Sequence, residues 1–247
     1  MARPRRLFVP ELLADGGRIE LPRESVEHAQ VLRITQGAQV CLFDARGSEA
    51  QAQVVSIDRG RMTCDAAAPC KTPPPAVALT LLLAVPKAGR LETVVRMTTE
   101  LGVSGIRLGH SQRSVPKLSS DSPKIERLRR VAREACAQSG NARAPEVFAP
   151  EPLLQVAGQA PAAARKLVFW ELATETLDAA LADHVTGTPC EVWAVVGPEG
   201  GLAVEEVAAL QALGYQPVGL GDAILRVDTA AVVVAALLLD RLQVLRS

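Results

Sequence analysis

The sequence predicts an α/β fold built on a parallel sheet and preceded by a small β-barrel. Three observations support this prediction. Residues 192–201 run from a buried-strand pattern directly into glycines, and residues 77–108 have the order strand, helix, strand. Residues 1–66 instead alternate short strand patterns with turns, which is typical of a small all-β domain.

The first 66 residues predict an N-terminal β-barrel domain. Strands are expected at 6–9, 18–21, 39–44, 50–57 and 61–65, with one helix at about 24–33. Phe8 and Phe43 are the aromatic residues of this part, too few for an RNA-recognition sheet that stacks bases on rings. Residues 66–76 contain four prolines and predict an extended linker. We therefore expect two domains, residues 1–70 and residues 77–247.

The second domain begins with a predicted βαβ unit. Residues 77–85 form a continuous apolar run, as in a strand covered on both faces, and Pro86 ends it. A helix at 87–101, stopped by Gly102, and a strand at 105–108 follow. Such a unit places its two strands parallel, with a right-handed crossover between them.

The middle of the chain is basic. Residues 86–145 carry twelve Lys/Arg and five Asp/Glu, although the whole chain carries 27 of each. Residues 111–120 are polar and follow a strand end, so Arg113 and Lys117 are expected on the ligand side of the sheet, before a helix at about 122–140. A basic surface is a candidate phosphate-contact site, and a solvated helix face is the alternative.

Two glycine loops follow predicted strands near the C-terminus. The strand at 192–196 breaks at Gly197, Gly200 and Gly201, and a helix follows. The loop matches neither common phosphate-binding fingerprint, but its glycines permit close approach of the main chain to a flat ligand such as adenine. A plain strand-to-helix turn without a ligand is the alternative.

The second glycine loop contains Gly219 and Gly221 and follows a short strand at 217–218. An apolar helix is expected after it, from about 229 to 242. Because ligands of parallel sheets bind beyond the carboxyl ends of the strands, the two loops could face one pocket.

These motifs resemble a known family. GPEGG followed by LG-x-x-ILR-x-x-TA resembles the SPOUT class of knotted methyltransferases, and within it the RsmE-like family that methylates N3 of a uridine in small-subunit (16S) ribosomal RNA. The N-terminal RRLFV, the S-x-R-S-V loop and the E-A-x-x-Q-S-x-x-x-R-x-P run resemble the same family. The resemblance implies a trefoil-knot methyltransferase domain after a PUA-like domain. Met97 and Asn141 stand where the family usually has lysine and arginine, and Asp228 where it usually has glutamate.

The resemblance also implies site residues. For catalysis it implies that Arg226 stabilises the uracil anion or orients the cofactor, with Glu199 or Asp228 as the proton acceptor. The S-adenosylmethionine pocket is expected at Trp170, Glu171, Val196, Gly197, Gly200, Gly201, Leu220, Gly221, Ile224 and Leu225. RNA contacts are expected from Arg5, Arg6, Arg33, Arg113, Lys117 and Arg143.

Composition limits the remaining possibilities. No apolar run approaches the roughly 18 to 20 residues of a membrane span, and no secretory signal is evident, so a cytoplasmic protein is expected. Five scattered cysteines predict neither a metal site nor disulfides. The apolar C-terminal helix predicts a homodimer. Two alternatives are a non-catalytic RNA-binding or ribosome-assembly module and a SPOUT enzyme acting on another RNA position.

Overall fold

The computed structural model describes residues 4–58, 60–86, 89–114, 118–184, 188–242 and 244. The chain divides into two compact units. The first comprises Met1–Pro74 and Arg133–Ala144, and the second comprises Pro75–Ala132 and Pro145–Ser247. A segment from the middle of the sequence therefore belongs to the N-terminal unit. Among the described residues, no helix is long and apolar enough to cross a membrane.

The first unit contains one sheet and one helix. Its elements are β1 (Arg5–Phe8), β2 (Gly17–Glu20), α1 (Arg23–Val31), β3 (Gln39–Phe43), β4 (Ser48–Asp58), β5 (Arg61–Ala66) and β6 (Cys70–Lys71). The strand order is β1-β3-β4-β5-β2, and β6 pairs with β4. β1 and β3 run parallel, while the other pairs are antiparallel. The five predicted strands and the helix are confirmed.

The first unit has its own hydrophobic core. Alternate residues of β3 and β4, such as Val40, Leu42 and Val54, are buried together with Met62 of β5. Helix α1 ends because Arg33, two residues beyond it, adopts a left-handed conformation with φ 54°. Such a residue lets the chain turn away at a helix C-terminus.

The second unit is organised on a seven-stranded sheet. Its strands are β7 (Val77–Ala84), β8 (Gly105–His110), β9 (Glu146–Val147), β10 (Glu151–Pro152), β11 (Arg165–Phe169), β12 (Cys190–Val196) and β13 (Gln216–Val218). The order is β10-β8-β7-β12-β11-β13, β9 pairs with β8, and every pair is parallel. The apolar run predicted as a covered strand is β7, and Leu79, Leu81 and Leu83 are buried there.

Helices connect these parallel strands. They are α2 (Arg90–Leu101), α3 (Pro123–Ser139), α4 (Leu153–Gly158), α5 (Leu177–Ala180), α6 (Val204–Ala212) and α7 (Val227–Arg241). Gly102, with φ 95°, ends α2 as predicted. Helix α7 begins at Val227, two residues before the predicted start. Its N-cap residue is therefore Arg226 and not Asp228. Lys87, the predicted start of α2, lies outside the described residues.

The sequence did not predict α4. Its Leu153, Val156 and Ala157 are nevertheless buried in the core of the second unit. Six residues are too short to show helical periodicity in a region rich in alanine and proline, so packing against the sheet decides this helix. The trefoil knot stays a prediction.

Candidate active site

Three loops leave the same edge of the sheet. β12, β11 and β13 are neighbours, and Phe169 pairs in register with Val196 and with Val218, the last residues of their strands. The three strands therefore end side by side, and the segments that follow them begin at the same edge of the sheet. We name the following segments loop 11 (170–176), loop 12 (197–203) and loop 13 (219–226). The two glycine loops do not follow neighbouring strands, because β11 and loop 11 lie between them.

Loop 11 contacts both glycine loops. The backbone N–H of Gly219 donates to Glu175 O at 2.9 Å, and a Cβ at Gly219 would lie 2.6 Å from Ala173 O. A Cβ at Gly201, where φ is 69°, would lie 2.5 Å from Glu171 Oε1. Glycine is therefore required at both positions for the loops to approach each other.

Most backbone N–H groups of loop 13 are available to hydrogen-bond a ligand. Within the described part of the chain, the backbone N–H groups of residues 220–225 donate no hydrogen bond. Gly221 has φ 92° and open space where a Cβ would lie, and the Ile224 side chain is 92% exposed. Unpaired main-chain groups beside an exposed apolar side chain fit a flat heterocycle such as adenine, which has a polar edge and apolar faces.

The other predicted pocket residues lie within these loops or at the end of β12. Val196 is buried at the end of β12, so its backbone rather than its side chain faces the loops. Trp170 is half-buried, and its backbone N–H donates to Val218 O at 3.0 Å. Gly197 is packed against Leu202, whereas Leu220 and Leu225 are half-buried in loop 13.

The three predicted catalytic residues have different surroundings. Arg226 is exposed just before α7, and within the described residues its side chain makes no hydrogen bond or ion pair. Glu199 and Asp228 instead share a partner, Arg90, the first residue of α2. Arg90 Nη1 lies 2.7 Å from Asp228 Oδ1, and Arg90 Nε lies 3.3 Å from Glu199 Oε1.

The environment of Asp228 favours its charged form. Partial burial acts to raise the pKa of this carboxyl. The backbone N–H groups of Asp228 and Thr229 and the guanidinium of Arg90 outweigh that effect, so the pKa lies below its ordinary value. Asp228 lies in the first turn of α7, where the helix dipole also favours a negative charge.

The sequence prediction did not include Arg90. Its position at the start of a predicted helix is the signal that could have identified it. A cation in the first turn of a helix is unfavourable by roughly 0.3 to 1 kcal/mol unless acidic groups compensate, so such an arginine predicts acidic partners elsewhere in the chain. The structure supplies two such groups from distant parts of the sequence.

Glu206 is a second residue that the sequence prediction missed. It lies in the first turn of α6 and is 4% exposed. Its Oε1 accepts from Gln112 N at 2.8 Å, and its Oε2 accepts from Ala203 N at 3.0 Å. Next to Gln112, Arg113 donates from Nη1 to Gly200 O at 2.8 Å. The loop after β8 is thus connected to loop 12 directly at Gly200 and, through the Glu206 carboxylate, at Ala203.

The residues predicted to bind RNA fall into two groups. Arg5 and Arg33 are exposed in the first unit, although Arg5 also donates to Leu32 O. Arg6 and Arg143 make internal contacts instead. Arg6 pairs with Glu49, lies over the ring of Phe43 and donates to Asn141 O, whereas Arg143 donates to Arg46 O and Thr72 O. Lys117 lies outside the described residues.

The basic block offers fewer unpaired charges than its composition implies. Arg127 pairs with Glu92, Arg133 pairs with Glu24, and Arg129 donates to Val147 O. Arg107 lies over the rings of Phe148 and Trp193. Many of these cations therefore stabilise the units to which they belong.

A groove of about 500 Å³ lies at the opposite edge of the same strands. There Arg165 pairs with Asp183, and Lys166 donates to Leu213 O. None of the predicted site residues lines this groove. No group of three metal-ligating side chains occurs in the described segments.

Comparison with known proteins agrees with this geometry. A family model described as an RNA methyltransferase domain matches residues 73–239, and one described as an RNA methyltransferase PUA domain matches residues 21–66. The fold and the site thus define an RNA methyltransferase with an N-terminal PUA domain. A relative from Mycobacterium tuberculosis, ribosomal RNA small subunit methyltransferase E, is 32% identical over 237 residues, covering 92% of this chain and 88% of its own. The chain belongs to the ribosomal RNA small subunit methyltransferase E family, as the motifs predicted.

Two solved structures show the same fold over the whole chain. Ribosomal RNA small subunit methyltransferase E from Neisseria gonorrhoeae, bound to S-adenosyl methionine, has a TM-score of 0.86 at 25% identity. A protein from Legionella pneumophila in complex with the same cofactor has a TM-score of 0.88 at 27% identity. Each match covers 97% of this chain and 98% of the other.

Proposed function

We propose that this protein methylates N3 of a uridine in small-subunit (16S) ribosomal RNA, with S-adenosylmethionine as the methyl donor. The observation that carries the proposal is the meeting of loops 11, 12 and 13 at the carboxyl edge of the sheet. Arg226, at the end of loop 13, has no side-chain partner among the described residues. Family membership supports the reaction class, and the names of the relatives support the RNA substrate.

The residues of these loops fit the cofactor. When bound, S-adenosylmethionine supplies a methyl group carried on a positively charged sulfonium. The main chain of residues 220–225 would hold the adenine edge, and Ile224 would cover a face of the ring. Gly197, Gly200 and Gly201 carry no side chain, so that the backbone of loop 12 can approach the ligand at these positions. Glu171 would close the pocket from loop 11.

Methylation at N3 requires loss of a proton from the uracil ring. The negative charge that remains on the ring needs a cation, and the proton needs an acceptor. Arg226 is the candidate cation because its guanidinium is exposed and unpaired within the described residues. Glu199 and Asp228 are the candidate acceptors.

We further propose that the protein acts in the cytoplasm as a homodimer with two domains, residues 1–70 and residues 77–247, where the segment 133–144 of the second range belongs to the first compact unit. Val232, Val233 and Leu237 of α7 are half-buried apolar side chains that a second copy could cover. Arg5 and Arg33 of the first domain would contact RNA phosphates. Sedimentation as a monomer at micromolar concentration would contradict the dimer.

Calorimetric titration with S-adenosylmethionine tests the pocket. Gly221→Val places a side chain in loop 13, whereas Gly102→Val is a matched control because Gly102 has φ 95° and equally open space. Both variants carry similar backbone strain, about 1 to 2 kcal/mol. We expect wild type and Gly102→Val to bind the cofactor, and Gly221→Val to lose at least about tenfold in affinity, or about 1.4 kcal/mol.

A methylation assay then tests the RNA target. Purified small subunits and naked small-subunit RNA, both from cells lacking this activity, are incubated with the protein and labelled cofactor. Mass spectrometry of the nucleosides should find 3-methyluridine. Cofactor binding with methylation at another position would support the fold class and contradict the proposed target. Absence of cofactor binding in the presence of RNA would favour a non-catalytic RNA-binding module.

A further inference from the structure

We propose that Arg90 is a positioning residue of this site, which holds Asp228 as a fixed ion-pair partner and orients Glu199 to receive the uracil N3 proton. The proposal rests on the proposed function. In the step concerned, the N3–H bond of uracil breaks, the proton passes to a carboxylate oxygen of Glu199, and the electron pair stays on the ring. Of the two candidate acceptors, Glu199 thus receives the proton, and Asp228 stays ionised as the partner of Arg90.

The geometry of Arg90 connects three elements of the second unit. Its backbone lies at the start of α2, Glu199 lies in loop 12, and Asp228 lies in the first turn of α7. Two different nitrogen atoms of the guanidinium serve the two carboxylates, Nε toward Glu199 and Nη1 toward Asp228. A planar guanidinium presents its donors in a fixed geometry, whereas the ammonium group of a lysine is a point charge whose three donors rotate.

Asp228 and Glu199 are not equivalent in this arrangement. The contact from Arg90 to Asp228 is the shorter, at 2.7 Å against 3.3 Å. Asp228 is also close to backbone N–H groups at the start of α7, and the combined effect lowers its pKa. A carboxylate stabilised in this way is a weaker proton acceptor. Glu199 lies in the loop that approaches the cofactor, so it is the better placed of the two.

The positions of the three side chains argue against a purely structural ion pair. The side chains are 32%, 23% and 30% exposed for Arg90, Glu199 and Asp228, and Glu199 as a whole residue is exposed, so solvent reaches the cluster. Solvent-exposed pairs contribute only about 0 to 1 kcal/mol to stability, and a cation in the first turn of a helix opposes the helix dipole. Stability alone therefore gives little reason for arginine at the start of α2.

Variants of the full-length protein separate the roles. Arg90→Gln removes the charge, and Arg90→Lys keeps the charge but loses the rigid planar arrangement of the donors. Arg127→Gln is the matched control, since it breaks the 2.9 Å pair between Arg127 and Glu92, another residue in the first turn of α2. We expect similar thermal unfolding for all three variants.

The first measurement uses the cofactor-free protein. Carbon-13 NMR of the side-chain carboxyl groups, assigned with Asp228→Asn, follows the titration of Asp228. Loss of a neighbouring cation destabilises the carboxylate, so the pKa of Asp228 should rise in Arg90→Gln and stay unchanged in Arg127→Gln. An unchanged Asp228 titration in Arg90→Gln would contradict the ion pair.

The second measurement is the rate at saturating RNA and cofactor. We expect kcat to fall by about 10- to 100-fold in Arg90→Gln, less in Arg90→Lys, and not in Arg127→Gln, with cofactor affinity and KM for RNA changed by less than about threefold. A loss confined to KM or to cofactor affinity would overturn the proposal.

Variants of the carboxylates complete the test. Glu199→Gln should lower kcat by about 10²- to 10⁴-fold, as expected for loss of a general base, and Asp228→Asn should lower it less. The reverse order would assign the proton to Asp228 and overturn the proposal. Failure of wild type to methylate ribosomal RNA would instead contradict the proposed function, and the NMR result would still show whether Arg90 holds Asp228.

Discussion

Arg226 and Arg6 illustrate how the surroundings of a single side chain decide its use. Arg226 is exposed and makes no contact among the described residues, so its charge is available to a ligand. Arg6 is mostly buried, pairs with Glu49 and lies over Phe43, so its charge is used within the first unit. Both arginines belong to motifs of the family, and their sequence patterns do not distinguish them.

The free guanidinium of Arg226 leads to a prediction at the residue scale. Arg226→Ala should lower kcat by about 10²- to 10³-fold, the usual cost of removing a group that stabilises developing negative charge. Its unfolding free energy should change by less than about 0.5 kcal/mol, because its side chain makes no hydrogen bond or ion pair within the described part of the chain. Arg96→Ala is the control, since Arg96 is an exposed arginine of α2. Full activity of Arg226→Ala in single-turnover assays would exclude the assigned role.

At the scale of elements, Glu206 shows how buried contacts hold the site loops. One carboxylate accepts backbone N–H groups from the loop after β8 and from the residue before α6. These two segments are about ninety residues apart in sequence, with Gln112 and Glu206 separated by 94 positions. The position of Arg113 beside Gly200 therefore depends on this carboxylate as well as on its own hydrogen bond.

Glu206→Gln tests this connection. The amide of glutamine has one acceptor oxygen, so one buried N–H group loses its partner, at a cost of about 1 to 3 kcal/mol. Glu205→Gln is the matched control, because Glu205 is the exposed neighbour in the same first turn. Denaturant unfolding should show a clear loss of stability for Glu206→Gln only. Equal stability of the two variants would mean that solvent replaces the lost contact.

At the scale of the whole molecule, some basic side chains make internal contacts that stabilise the fold, and others remain exposed to a binding partner. The segment 86–145 is strongly basic, yet Arg127 and Arg133 are paired with glutamates, and Arg143 donates to backbone carbonyls within the first unit. Net charge along a sequence therefore overestimates the surface that is free to contact phosphates. The exposed arginines of the first unit, such as Arg33, are the better candidates.

RNA binding by two variants tests this distinction. Arg33→Ala should weaken RNA binding at low salt and reduce the slope of log affinity against log salt by about 1, with little change in stability. Arg143→Ala should instead destabilise the first unit by about 0.5 to 1.5 kcal/mol, because the hydrogen bonds to the carbonyls of Arg46 and Thr72 are lost. Equal salt slopes for Arg33→Ala and wild type would remove Arg33 from the RNA contacts.

The sequence by itself determined most elements and the family. Apolar runs such as 77–84 and glycine stops such as Gly102 are local signals, and linked motifs identified the methyltransferase class. The tertiary structure alone decided that α4 forms, that 133–144 joins the first unit, and that Arg90 lies between Glu199 and Asp228. These features depend on contacts between residues far apart in sequence, so no local pattern encodes them.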